Sequence, residues 1–217
     1  MSAEPAFAFV YLASQSPRRR ELLGQIGVRH EPLLAGPDED VEALEAERAS
    51  ELPDAYVERV TRAKVAAARR RLAARGLPEA PILCADTTVA LGRRILAKPA
   101  DAADAARILG LLSGRTHRVI TAVAVARGRR TRLLASVSHV TFAPLERTRI
   151  DAYVAGGEPF GKAGAYAIQS AAAAWIARIE GSYTGIMGLP LYETATLLRW
   201  AGVADAEQTR AREPDRP

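Results

Sequence analysis

Phe7-Ala8-Phe9-Val10-Tyr11-Leu12-Ala13-Ser14-Gln15-Ser16-Pro17-Arg18-Arg19-Arg20 sets how the chain begins to fold. The apolar run from Phe7 to Ala13 reads as a buried strand, and Arg18 to Gln25 as a short helix that Gly27 helps to end. Pro17 suits the first position of that helix, where its missing N–H would have no partner anyway. The order is strand, polar turn, helix, with the free N–H groups of the helix start aimed at the turn. Such a turn can cradle a phosphate. A helix start favours an anion by only about 0.3–1 kcal/mol, whereas a hydrogen bond to a charged group contributes about 1.5–3 kcal/mol. Most of the grip would therefore come from Arg18 and Arg19, whose guanidinium forks match phosphate oxygens, with the Ser14 and Ser16 hydroxyls adding donors. A plain serine cap followed by exposed arginines fits the same residues. The sequence does not follow the GxxxxGKS or GxxxxGKT pattern of a P-loop.

Outward from this start, Glu31 to Leu34 reads as a second strand, and the acidic stretch from Asp38 to Glu51 lacks periodicity and reads as a mobile connection. Pro53 opens a long helix to Arg75, closed by Gly76 and Pro78. Ile82 to Leu91 is a central strand and Ala102 to Leu112 a helix. Val119 to Ala126 and Leu133 to Phe142 form a strand pair around the Arg127-Gly128-Arg129 turn. A helix near Thr148 to Val154, a glycine-rich loop, a strand from Trp175 to Glu180, a flexible loop from Gly181 and a helix from Pro190 to Trp200 complete the body. The alternation of strands and helices predicts an α/β fold. From Asp205 onward the chain is polar and is expected to be disordered.

The chain has 217 residues, 48% of them apolar, enough for one well-filled domain or two compact lobes. No apolar stretch approaches the roughly 20 residues of a membrane-spanning helix, and no basic leader with an apolar run opens the sequence, so a cytoplasmic location is expected. Cys84 is the single cysteine and cannot form an internal disulfide, and no Cys/His cluster has zinc-ligand spacing, so any metal should be held by oxygen. A net charge of +5 permits polyanion binding, but the charges are interspersed. Arg69-Arg70-Arg71, the longest basic run outside the first turn, reads as a solvated helix face, which argues against nucleic acid as a partner.

Period-two alternation puts Asp86 on the same face of its strand as Ile82 and Cys84, where a carboxylate needs a cation or water beside it. It could hold Mg²⁺ or accept a proton from attacking water, or it could cap a turn at the strand end. On the long helix Val57, Val60, Lys64 and Ala67 share a stripe, so Lys64 lies at or near the inward face, either in a site or snorkelling. Lys98 precedes Pro99 at the end of a central hairpin, and Glu39 lies in the acidic connection; alone, each would read as a solvated residue. The glycine-dense segment from Gly156 to Gln169 lets backbone approach a ligand closely, and the Gln169 amide can both donate and accept toward a nucleobase edge. A structural glycine turn is the alternative.

Taken together, LASQSPRRRELL, YVERVTRAK, ADTTVAL, ILAKP, GEPFGKAGAYAIQ and GSYTGIMGLPLYET, in this order from Tyr11 to about Leu198, resemble the Maf family of nucleoside triphosphate pyrophosphatases, once called septum formation inhibitors. The resemblance implies a mixed, twisted central sheet flanked by helices, in an elongated, two-lobed inosine triphosphatase-like fold with a central cleft. It implies one domain over residues 7–201, assisted by Mg²⁺ or Mn²⁺ and usually found as a homodimer. Carried over position by position, it makes Asp86 the proton acceptor and a metal ligand with Glu39. It puts Ser14, Ser16, Arg18 and Arg19 on the phosphates and Lys64 and Lys98 in the charged cleft, and it associates Arg18, Thr87 and Gln169 with base choice. The Arg after Ser-Pro, the Asp-Thr pair and the Ala-Tyr-x-Ile-Gln segment resemble the branch acting on dTTP and UTP. The alternatives are the 7-methyl-GTP branch and a non-enzymatic nucleotide-binding regulator of septum formation. The sequence departs from the family pattern at Thr88, at Ser170 and in the acidic insertion from Glu42 to Glu51.

Overall fold

The computed structural model describes residues 6–204, so the tail expected to be disordered lies outside the described residues. Its centre is one mixed sheet, in which β1 (Val10–Leu12), β2 (His30–Pro32) and β3 (Ile82–Leu91) are parallel. The long strands β5 (Thr116–Arg127) and β6 (Arg130–Phe142), then β7 (Ile176–Glu180), continue it antiparallel in the order β2-β1-β3-β5-β6-β7, while β4 (Arg94–Leu96) turns back on the end of β3. Between Arg127 and Arg130 only Gly128 and Arg129 remain to turn the chain, and Gly128 takes φ 51°, so the two strands run longer and turn more tightly than the sequence pattern suggested.

The alternation within β3 assigns its two faces. Leu83 and Ala85 pack with Val10, Leu12, Val123 and Val125 against α1 (Pro17–Gln25) and α6 (Leu191–Ala201), which contribute Leu22, Leu23, Leu197 and Leu198. Ile82 and Cys84 face the other way, against Val65 and Ala68 of α2 (Pro53–Ala74). Further along α2, Tyr56, Val57 and Val60 cover Ile120 and Ala122. Beyond the end of β3, α3 (Ala102–Leu112) and α4 (Arg147–Ala155) close a fourth cluster around Phe142, Tyr166 and Trp175.

Several sequence expectations need correcting. Strand β1 is shorter than Phe7 to Ala13, because Phe7 bridges to Val203 instead of continuing the strand. The segment after Gly181 is not a flexible loop but α5 (Tyr183–Met187), started by the Ser182 hydroxyl accepting from Gly185 N–H. Nor is the acidic connection featureless, since Glu42–Glu45 forms a 3-10 turn held by α2. The Arg69-Arg70-Arg71 run is not wholly solvated: Arg71 is buried, donating to Leu33 O at 2.7 Å and to Glu39. Among the described residues no helix is long and apolar enough to cross a membrane.

Candidate active site

The sheet itself opens the cleft. Strand β1 pairs with β3 only at Ile82 and Leu83, and β4 rejoins β3 from Val89. Between these contacts the β1-side edge of β3 has no strand beside it, so Asp86, Thr87 and Thr88 all reach one cavity even though neighbouring side chains point to opposite faces. The turn after β1 and the start of α1 border the same gap, at the carboxyl ends of the parallel strands β1 and β2, where ligands of α/β sheets commonly sit. The cleft measures about 810 Å³, within the usual range for a small-molecule site.

Asp86 is 7% exposed, and its Oδ1 accepts from Lys64 Nζ at 2.6 Å, which supplies the cation its burial requires. Lys64 reaches it because the α2 stripe of Val57, Val60 and Lys64 faces the sheet, as the spacing predicted. The same ammonium donates to Glu45 Oε1 at 2.7 Å, and Lys98 donates to Glu45 Oε2 at 2.6 Å. Burial pushes the Glu45 carboxyl up, but Lys64 and Lys98 together outweigh it and hold the group below its ordinary pKa.

In the turn after β1, Ser14 Oγ accepts from Ser16 N–H at 3.2 Å and from Arg19 at 3.1 Å. Ser16 occupies the cap position without a side-chain cap bond, so the plain serine cap does not form. Arg19 also donates through Nε to Gly188 O at 2.8 Å, tying the turn to the end of α5. Arg18 lines the cleft with no hydrogen-bond partner among the described residues. Thr87 shares a hydrogen bond of 2.9 Å with Thr121, which donates to Gly185 O at 2.7 Å.

Thus Ser14, Ser16, Arg18, Arg19, Lys64, Asp86, Thr87 and Lys98 share one cleft, and two candidates do not. Gln169 is exposed in a turn outside the lining, although its neighbour Ile168 lines it. Glu39 also stands outside. Arg71 donates to its two oxygens at 2.8 and 2.7 Å and Gly36 N–H at 3.1 Å, and these bonds bring its pKa to about 2. Arg71 is two helical turns beyond Lys64, roughly 10 Å along the axis. Sequence reading missed Glu45, because Glu42, Glu45, Glu47 and Glu51 look alike in a stretch without periodicity. It also missed the apolar wall, where Val89, Val119, Tyr166, Ile168 and Ile186 join the cluster around Phe142 and Trp175. Behind that wall the Tyr166 hydroxyl and buried His117 Nε2 share a bond of 2.8 Å, and burial lowers the His117 pKa to about 4.

Comparison with known proteins adds an independent finding. The family described as Maf-like protein matches residues 9–201. A dTTP/UTP pyrophosphatase of Polaromonas sp. (strain JS666 / ATCC BAA-500) is 63% identical over 199 residues, covering 92% of this chain and 98% of the relative. Proteins of the same name from Burkholderia pseudomallei (strain 1710b) and Cupriavidus metallidurans are each 62% identical; the alignments cover 93% and 90% of this chain and 98% of each relative.

Proposed function

The chain belongs to the Maf family, and from that premise we propose that it hydrolyses dTTP and UTP to the nucleoside monophosphate and pyrophosphate. Within the molecule, the Lys64–Asp86 pair at the open edge of β3 carries this reading, because it sits among Arg18, Arg19 and Lys98. A near-buried carboxylate ringed by cations suits a polyanionic substrate attacked by a water that must lose a proton to the protein.

In the reaction the oxygen of water bonds to the α-phosphorus. The bond from that phosphorus to the oxygen bridging to the β-phosphate breaks, and its electron pair leaves with pyrophosphate. Asp86 accepts the proton that water gives up. Lys64 engages only Oδ1, which orients the carboxylate and leaves Oδ2 for that proton. Arg18, Lys64 and Lys98 neutralise charge on the phosphoryl group and the leaving pyrophosphate, while Arg19, fixed by Ser14 and Gly188, shapes the turn that receives them.

A divalent cation, Mg²⁺ or Mn²⁺, would bind through the Asp86 carboxylate and supply further neutralisation of phosphate oxygens. The residues fit such an ion as a partial site. Among the described residues no group of three or more His, Cys, Asp or Glu converges, so substrate oxygens and water would complete the shell. Glu39 is committed to Arg71 and would not reach it from this position. For base choice, Arg18 and Thr87 are the candidates that stand in the cleft. A homodimer and a cytoplasmic location belong to the same proposal and rest on family membership.

The test is to incubate the purified protein with dTTP, UTP, CTP, GTP and 7-methyl-GTP plus Mg²⁺ or Mn²⁺ and to separate the products. Monophosphate and pyrophosphate from dTTP and UTP are expected. Preferential turnover of 7-methyl-GTP would overturn the substrate assignment, and tight nucleotide binding without turnover would favour a regulator.

A further inference from the structure

Glu45 is placed by bonds that do not involve its carboxylate. Arg59 on α2 donates to Ala46 O at 2.9 Å and to Leu44 O at 3.4 Å, and it pairs with both oxygens of Glu51 at 2.6 Å. The Tyr56 hydroxyl donates to Glu45 O at 2.8 Å. The backbone of the 3-10 turn is therefore clamped to α2 on both sides of Glu45. The side chain extends from it between Lys64 and Lys98, one oxygen on each ammonium. The remaining cleft lysine, Lys162, donates to Glu158 O. A phosphate oxygen would use the Lys64 and Lys98 donors with the same geometry. Two anionic groups cannot hold the same donors at close range without strong repulsion.

We propose that Glu45 is an internal competitor for the pyrophosphate-binding lysines, a carboxylate that the entering phosphates displace and that returns to Lys64 and Lys98 as pyrophosphate leaves. This rests on the reading of the cleft as a nucleoside triphosphate site. The clamp keeps the carboxylate within reach of both ammoniums, so the return requires only side-chain rotation. Holding the lysines in this way keeps them extended into the cleft and lowers the affinity of every anion that needs both of them. The leaving pyrophosphate, which has lost its covalent link to the nucleoside, is the anion whose release this aids.

The test is titration of inorganic pyrophosphate, with divalent ions chelated, into the wild-type protein and the Glu45→Gln and Glu42→Gln variants. Glu42 is a neighbouring exposed carboxylate on the cleft rim that pairs with neither lysine. Glu45→Gln is expected to bind pyrophosphate about tenfold tighter, the size of two partly exposed ion pairs, and Glu42→Gln less than about twofold. Equal gains in the two variants would overturn the proposal in favour of a diffuse charge effect, and so would no gain in Glu45→Gln. Weaker Mn²⁺ binding in Glu45→Gln, read by electron paramagnetic resonance with pyrophosphate affinity unchanged, would overturn it by making Glu45 a metal ligand. Because binding is read without turnover, a protein that shows the gain but leaves dTTP intact refutes the hydrolase reading alone. A working hydrolase without the gain refutes only the competitor.

Discussion

Asp86 and Glu39 are both acidic residues engaged by a cation, yet their surroundings give them different tasks. Asp86 has one oxygen on Lys64 and faces the cleft, so Asp86→Asn should keep the fold and lower kcat for dTTP by about 100- to 1,000-fold, checked by steady-state kinetics beside circular dichroism. Glu39 has both oxygens on Arg71 and stands outside the cleft. Glu39→Gln should leave kcat within about twofold, and because it strips the partner from a buried guanidinium it should cost about 1–3 kcal/mol of stability. The pH dependence follows from its depressed pKa. Stability from this pair is fully present above the ordinary carboxylate value of 4.5 and is lost as pH falls toward about 2, so the thermal midpoint of Glu39→Gln should fall less steeply over that window. The sequence disclosed Asp86 and Lys64 because each is a charge at an apolar position in a regular pattern. It could not disclose Glu45 or the inward turn of Arg71, because each lies in a run of like charges and is selected only by partners from distant elements.

At the scale of elements, the gap between β1 and β4 along β3 matters more than any one strand, and what borders it is easily disturbed. Gly164 takes φ 73°, and a Cβ there would lie 2.8 Å from Val89 Cγ1 in the strand beneath it. Gly164→Ala should therefore destabilise the protein by about 1–3 kcal/mol and raise KM for dTTP, since the segment it displaces carries Tyr166 into the cleft wall; denaturant melts and kinetics check both. The His117–Tyr166 bond behind that wall makes a second element-level test. The histidine is neutral in the fold down to about pH 4 but binds a proton near 6.5 when unfolded, so its contribution is complete above 6.5 and lost as pH falls toward 4. His117→Phe should flatten the fall of the thermal midpoint across that interval. Regular elements were legible because each repeats a pattern: the stripe of α2, the alternation of β3, the paired runs of β5 and β6. The Glu42–Glu45 turn, α5 and the position of Gln169 were not, because short turns take their form from caps and tertiary bonds such as Arg59 to Ala46 O.

For the molecule as a whole, charge and sheet order govern behaviour. A cleft that gathers Arg18, Arg19, Lys64 and Lys98 attracts its substrate partly through screened forces, so raising NaCl from about 50 to 500 mM should raise KM for dTTP several-fold with little change in kcat. The family was legible from six short segments in order, although none decides it alone, because chain order records which segments the fold must bring together. The sheet has a further consequence. Strand β5 is buried without a break from Val119 to Ala126 and is flanked by β3 and β6 along its length. Its amide protons should meet solvent only when the whole domain opens, so their deuterium uptake reports global unfolding, and a ligand that binds only the folded cleft should slow it in proportion to that binding. The clamped turn around Glu45 lies outside the sheet and should exchange through much smaller openings, so pyrophosphate should change its uptake locally, while β5 slows only by the factor that binding adds to global stability.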